Sequence, residues 1–312
     1  MNHSFSRRLF SASTSALRPR IVNTIAEYRE LRHEWIMQGK SIGFVPTMGA
    51  LHHGHLSLAK TAKAECDKVV ASIFVNPAQF APTEDLDRYP RTFESDVDLL
   101  ATVGVDAVFA PAVAEMYPAG ITLDVAKQSG TFVQVLGKSH MLEGSVRPHF
   151  FRGVATVVTK LLNATQPHKA FFGQKDGQQC AVIRTLVRDL LIPTEVVVCQ
   201  TVREADGLAM SSRNRYLDPQ ERALAPVLYK ALQAAEALYV AGERDASVLR
   251  DAGMKVLQSA GVQVEYLSVA NSLSLEEEQG KIGADGAMMS GAVKIGKTRI
   301  IDNILFGVEV RK

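Results

Sequence analysis

The chain has 312 residues, 46% hydrophobic and 22% charged, with 35 Lys and Arg against 33 Asp and Glu. That length supports a large core, near the size where one core divides into two, and the composition is that of an ordinary globular protein. No run approaches the ~18 uninterrupted apolar residues of a membrane span, and the balanced charge lacks the basic face a nucleic-acid surface needs, so neither partner is expected.

Residues 1–20 differ from the rest. They carry Arg7, Arg8, Arg18 and Arg20, many serines and no acid; the first carboxylate is Glu27. An Arg-rich, Ser-rich, acid-free start has the composition of a mitochondrial transit peptide, with Arg8-Leu9-Phe10-Ser11 as a processing-type site. A plain basic tail on a cytoplasmic protein is the other reading. Setting those four arginines aside leaves 31 basic residues against 33 acidic ones, so the body is near neutral.

The spacing of Ile25, Tyr28, Leu31 and Trp35 predicts a first helix over 24–37, capped at Asn23-Thr24. A strand follows at 42–47, then a helix at 55–66 and a strand at 69–75. A helix at 93–103 leads to a strand at 105–110, which stops at Pro111. A longer helix at about 152–165 precedes the apolar run 170–172, and a helix at 178–191 and a strand at 195–200 complete this half. Alternating strands and helices predict an α/β fold, a Rossmann-like parallel sheet with helices on both faces.

Beyond residue 201 the pattern changes. Asp218-Pro219 opens a helix expected to run to 240, with Pro at its first position, and a second helix spans 246–259. Strands follow near 262–269, 286–294 and 298–306, and the glutamates at 276–278 read as a solvated turn. Helices followed by strands predict a smaller C-terminal α+β domain, dividing the chain into 1–20, 21–201 and 202–312. Cys66, Cys180 and Cys199 form no CxxC pair, cannot build a zinc site, and read as buried small hydrophobes in a reducing compartment.

The densest chemistry sits between the first predicted strand and its helix. The run from Met48 to His55 brings His52, His55 and several backbone N–H groups to a helix start. Such a start already holds unpaired donors and partial positive charge, and so suits a phosphate. Gly49 and Gly54 let the backbone approach a ligand closely.

Ligands of an open α/β sheet bind beyond the carboxyl ends of its strands, and three more polar segments follow strands here. They are Asn76-Pro77-Ala78-Gln79-Phe80; Gly173-Gln174-Lys175-Asp176 with Gln178-Gln179; and Thr201-Val202-Arg203, which leads on to Met210-Ser211-Ser212-Arg213. Lys175 supplies a point charge for phosphate, Ser211 and Ser212 hydroxyls, and Arg213 a forked donor. Asp176 can accept from a ribose hydroxyl or orient Lys175. Gln79 and Gln179 are neutral, two-way hydrogen bonders suited to a substrate with hydroxyls and a carboxylate. Taken singly, Lys175, Asp176 or Arg213 reads more simply as a surface ion pair. Convergence on one sheet edge is what marks a site.

His52-x-Gly54-His55 with Met210-Ser211-Ser212-Arg213 resembles the nucleotidylyl-transferase superfamily, where an HIGH-type turn and a mobile Lys-Met-Ser-Lys-Ser-type loop clasp the triphosphate of ATP. The fuller wording from Pro46 to His55 is similar to the pantoate–β-alanine ligase family. So are Phe74-Val75-Asn76-Pro77-x-Gln79-Phe80, the stretch from Asp85 to Thr92, Phe172-Gly173-x-Lys175-Asp176, the stretch from Asp206 to Leu217, and Thr298-Arg299-x-Ile301-Asp302-Asn303. The resemblance covers about residues 22–310.

It implies a two-step ligase that takes ATP with Mg²⁺, (R)-pantoate and β-alanine through a pantoyl adenylate, and a homodimer formed through the N-terminal domain. It implies His55 as proton donor, with His52, Lys175 and Arg213 also catalytic and Ser211 and Ser212 on the phosphates. Met48, Gly173 and Val202 would line the adenosine pocket, beside Gly49, Gly54, Gln174, Asp176 and Met210. Gln79 and Gln179 would hold pantoate, with Asn76 on the substrate side. Asp96 is a candidate metal contact, though a helix-surface charge is the simpler reading. A nucleotidylyl-transferase acting on another small carboxylate or phosphate is the alternative.

The chain departs from the family wording in three places: His149-Phe150 stands where a Gly-His pair is usual, Gln174 where an acid is, and Gly177 where an aromatic is. No role is assigned to His149.

Overall fold

A computed structural model describes residues 18–308 apart from 83, together with residue 310. The transit-peptide reading therefore falls, for residues 1–17, outside the described residues. Arg18 is described and pairs with Glu94 and Asp98.

Six parallel strands form the larger sheet: β1 (Arg20–Val22), β2 (Ile42–Thr47), β3 (Lys68–Ile73), β4 (Ala107–Phe109), β5 (Lys169–Gly173) and β6 (Glu195–Cys199), in the order β1-β4-β3-β2-β5-β6. Helices α1 (Ile25–Met37), α2 (His53–Glu65), α3 (Phe93–Thr102), α4 (Val113–Met116), α5 (Glu143–Val146), α6 (Phe150–Thr165) and α7 (Gly177–Asp189) connect them.

Successive strand residues point to opposite faces, and the core divides accordingly. Phe44, Val70, Ala170 and Phe172 pack with α1, α6 and α7 on one face. Val45, Val69, Ala71 and Phe171 pack with α2 and α3 on the other. This is why the strands read as continuous apolar runs. The cap foreseen for α1 is present: Thr24 Oγ1 accepts from Glu27 N at 3.2 Å and Glu27 Oε2 accepts from Thr24 N at 3.1 Å.

The C-terminal part has α8 (Pro219–Leu224), α9 (Val227–Val240) and α10 (Ala246–Ser259). Helices α9 and α10 pack on an antiparallel sheet of β7 (Gln263–Asn271), β8 (Ala287–Ile295) and β9 (Thr298–Phe306), in that order. Its core is separate from the other two.

Three expectations change. The single helix expected over 219–240 is two, because Pro226 cannot donate a backbone N–H and caps the second. Strand β1 was not foreseen; three residues are too few to show a period. The glutamates at 276–278 are not simply a solvated turn, since Glu277 accepts from Arg250 Nη1 at 2.7 Å and also from Ser268. All three cysteines are buried. Among the described residues no helix is long and apolar enough to cross a membrane.

Candidate active site

The carboxyl ends of β2, β3, β5 and β6 open into one cavity of about 1140 Å³ that the C-terminal part closes from the far side. All four polar segments reach it. Met48, His52, Gly54 and His55 line it from the first, Asn76 and Gln79 from the second, and Gly173, Lys175, Asp176 and Gln179 from the third. Val202, Met210, Ser211, Ser212 and Arg213 line it from the fourth. Gly49, Gln174 and Asp96 do not.

The start of α2 explains the two histidines. His52 is its N-cap; its Nδ1 accepts from Gly54 N at 3.2 Å, and His55 Nδ1 accepts from His52 N at 3.4 Å. This is a capping box made of imidazoles in place of the usual hydroxyl and carboxylate. A ring nitrogen that accepts a hydrogen bond carries no proton, so each neutral ring keeps its proton on Nε2. Burial holds His52 down to about 4 and His55 to about 3, helped in both by the charge of Lys175. Two neutral donors therefore stand at a helix N-terminus. At Gly54 a Cβ would lie 2.9 Å from the His52 ring, so only glycine permits this cap.

Asp96 corrects both readings made of it. It is 1% exposed, and its two carboxylate oxygens accept from Ala50 N and Leu51 N, each at 2.8 Å. It braces the turn before His52 from beneath, with no surface charge and no face toward the cavity. Gly49, at φ +81°, belongs to that brace: a Cβ there would meet Asp96 Oδ2 at 3.1 Å.

Asn76 is likewise a support. It is buried, and its amide donates to Gln79 Oε1 at 3.0 Å and Gly153 O at 3.3 Å. Its carbonyl accepts from Tyr117 Oη at 2.7 Å and Ala78 N at 3.3 Å. These bonds satisfy the side chain and fix Gln79, whose Nε2 lies 3.2 Å from Met48 Sδ. Gln179 lines the cavity with its amide engaged by no described residue.

On the third segment, Lys175 Nζ sits 3.6 Å from Asp176 Oδ1. Gln174 turns to the C-terminal sheet instead, donating to Asn303 Oδ1 at 2.7 Å. Asn303 returns two bonds, to Gln174 O at 2.8 Å and Lys175 O at 2.9 Å. The expected nucleotide contact of Gln174 is thus a tie between the two parts of the chain.

Several lining residues carried no role in the sequence reading. Arg213 is held by Asp85, through Nε at 3.1 Å and Nη2 at 3.0 Å. Burial alone would raise the Asp85 carboxyl, but the bonds and charge of Arg213 hold it below its usual range. Arg147 grips Glu84 through Nε at 2.7 Å and Nη2 at 2.6 Å. Phe150, Phe151, Val154 and Val158 form an apolar wall. Asp85 stood in a motif quoted for the resemblance; for Arg147, charge complementarity with a distant glutamate was the only signal.

The profile of the family described as pantoate-beta-alanine ligase matches residues 20–305. The chain belongs to the pantoate–β-alanine ligase family. It is 52% identical over 286 residues to the pantothenate synthetase of Herpetosiphon aurantiacus, covering 91% of this chain and 99% of that one. The Acidobacterium capsulatum pantothenate synthetase is 55% identical over 269 residues, 86% of this chain and 87% of that one.

Among solved structures, the pantothenate synthetase of Thermus thermophilus aligns with TM-score 0.83 and 44% identity, over 91% of this chain and 98% of that chain. The Francisella tularensis pantoate-beta-alanine ligase, complexed with "Beta-gamma ATP and Beta-alanine", aligns with TM-score 0.74 and 36% identity, over 92% and 97%.

Against this family background the three departures have physical causes. His149 sits exposed at φ +68°, as the N-cap of α6, so its ring is outside the cavity. Phe150 lines the cavity in its place, with the Arg147 guanidinium 3.8 Å from its ring centroid. At Gly177 a Cβ would lie 2.5 Å from Met288 Sδ, which leaves no room for an aromatic side chain.

Proposed function

We infer that this ligase condenses pantoate with β-alanine at the expense of ATP, releasing AMP and pyrophosphate through a pantoyl adenylate. The observation that carries the assignment of roles is the meeting of the α2 histidines, Lys175 and the Ser211-Ser212-Arg213 loop with Gln79 and Gln179 in one cavity.

In the first step a pantoate carboxylate oxygen attacks the α-phosphorus, and the bond to the bridging oxygen of pyrophosphate breaks. Such a step needs alignment and donors aimed at developing charge more than covalent help. His52 and His55 donate from Nε2, Lys175 and Arg213 supply charge, and Ser211 and Ser212 supply hydroxyls. Burial keeps the His55 imidazole neutral before the nucleotide binds, so it meets the phosphates as a hydrogen-bond donor, and the negative charge of a triphosphate beside it favours the proton-donor role that the resemblance implies. Gln79 and Gln179 bind the hydroxyls and carboxylate of pantoate, and its two methyl groups suit the apolar wall of Phe150 and Val154. In the second step the β-alanine amine attacks the acyl carbon, the C–N bond forms and AMP leaves.

Among the described residues no group of three His, Cys, Asp or Glu could hold a metal ion, and two of the carboxylates lining the cavity, Glu84 and Asp85, are taken by arginines. The described residues thus build no magnesium cage; Mg²⁺ would be held chiefly by ATP itself and would supply charge to the phosphates beside Lys175 and Arg213.

We also propose a division near residue 201, a homodimer through the N-terminal part, and a targeting role, separate from catalysis, for residues 1–20, which lie almost wholly outside the family match. Light scattering tests the dimer, and a reporter fused to residues 1–20 tests the address. The activity is tested by assaying AMP and pantothenate from the purified protein with pantoate, β-alanine and ATP, each omitted in turn. AMP formed without pantoate, or no pantothenate from the full mix, overturns the assignment.

A further inference from the structure

The stretch from Asp85 to Tyr89 touches the Ser-Ser-Arg loop three times. Asp85 takes Arg213 in a two-point carboxylate grip, at 3.1 and 3.0 Å. The Tyr89 and Ser212 hydroxyls lie 3.3 Å apart, and Tyr216 Oη donates to Arg88 O at 3.3 Å. The first stretch belongs to the parallel-sheet part and the second follows it by more than a hundred residues. Nothing local to 211–216 orients the arginine; its partner comes from across the cavity.

The atoms used by the grip decide what remains. A guanidinium has five N–H donors in a rigid plane. Asp85 takes one from Nε and one from Nη2, along one edge. Nη1 has no partner among the described residues, while Arg213 lines the cavity. A flexible side chain is thus fixed with its far edge free for a phosphate oxygen.

We propose that Asp85 is a positioning residue for Arg213, setting the guanidinium before the nucleotide arrives so that Nη1 meets the triphosphate. This rests on the ligase reading above. Asp85 acts through Arg213, which takes both of its carboxylate oxygens, with Tyr89 steadying the neighbouring Ser212 hydroxyl.

The test is a double-mutant cycle of Asp85→Asn, Arg213→Ala and the double variant, with kcat and KM measured for ATP, pantoate and β-alanine. Asparagine keeps the shape but offers a single neutral acceptor, so the two-point ionic grip is lost. Misplacing one catalytic group costs about 10²-fold, and we expect kcat/KM for ATP to fall by up to that factor in Asp85→Asn. KM for β-alanine should stay within about twofold of wild type, because Arg213 serves the phosphates. The double variant should be no worse than Arg213→Ala alone, since a group acting through another adds nothing once that other is gone.

Losses that multiply in the double variant, or an Asp85→Asn enzyme with wild-type kcat/KM for ATP, overturn the proposal. Melting curves of all three variants show whether the fold is retained; if Asp85→Asn melts early, Asp85→Glu, which keeps both carboxylate oxygens, should recover more ATP efficiency than it, and failure to do so also overturns the proposal. The ligase reading fails differently, by absence of pantothenate from the wild-type protein.

Discussion

His52 and His55 cap one helix with each other, their ring centroids 4.1 Å apart and each Nδ1 turned back onto a backbone N–H. The local folding requirement and the chemical one are met by the same bonds. Satisfying the orphan donors of α2 fixes the tautomer, and the tautomer leaves an Nε2–H on each ring for the ligand. His55→Ala should therefore cripple pyrophosphate release with pantoate and ATP while leaving a folded protein. Loss of one preorganised donor costs about 10²–10³-fold. Single-turnover adenylate formation measures this directly, and near wild-type speed would remove His55 from the mechanism.

The same burial makes a prediction about acid. Both imidazoles bind protons only at about 4 and about 3 in the folded protein, against an ordinary 6.5. Below pH 6.5 the unfolded chain takes up protons that the folded chain refuses. The contribution to stability is thus complete above pH 6.5 and is lost as pH falls through the folded values, at up to about 1.4 kcal/mol per pH unit for each ring. Urea unfolding at pH 7.0, 6.0 and 5.0 should show this slope, and His52→Asn/His55→Asn should flatten it. An unchanged slope in the double variant would mean the rings titrate normally.

Gln179→Ala should weaken pantoate use far more than ATP binding. Its amide has no partner among the described residues, so its polar capacity is open to a ligand in the cavity it lines. A site built to hydrogen-bond substrate oxygens loses specificity sharply when those bonds go. KM for pantoate and the Kd of a non-hydrolysable ATP analogue, measured side by side, decide it. Equal losses would place Gln179 on the nucleotide side.

Residues near one another in sequence were the legible part of this site. The histidine turn, the Asn76–Gln79 turn and the Gly173–Gln179 segment each follow a strand whose apolar run is unmistakable, and strand order then forces them to one edge. What could not be read is how the segments hold one another. Asp85 meets Arg213 across 128 positions and Gln174 meets Asn303 across 129. No periodicity reports such a contact. For the same reason Asp96 read as a surface charge on α3: its partners, Ala50 N and Leu51 N, are backbone groups 46 and 45 positions away. Helix α8 failed on a nearer signal, Pro226, which the apolar spacing of 219–240 masked.

Gly153 offers a test of how tightly the pantoate side is built. Here α6 crosses the turn that carries Gln79, and Gly153 O accepts from Asn76 Nδ2 at 3.3 Å. A Cβ at this position would lie 2.1 Å from Ala78 O and 2.8 Å from Gln79 Cα, both backbone atoms with no rotamer to yield. The helix must retreat or the turn must shift. Overpacking of this kind costs about 1–3 kcal/mol, so Gly153→Ala should lower the urea midpoint by a matching amount. If the turn is what shifts, Gln79 leaves its bond to Asn76 and the place it holds beside Met48. Pantoate KM should then rise several-fold while the affinity for an ATP analogue changes little, because the phosphate-binding groups sit on other elements. A Gly153→Ala protein with wild-type stability and wild-type pantoate KM would show that α6 has slack the close contact denies.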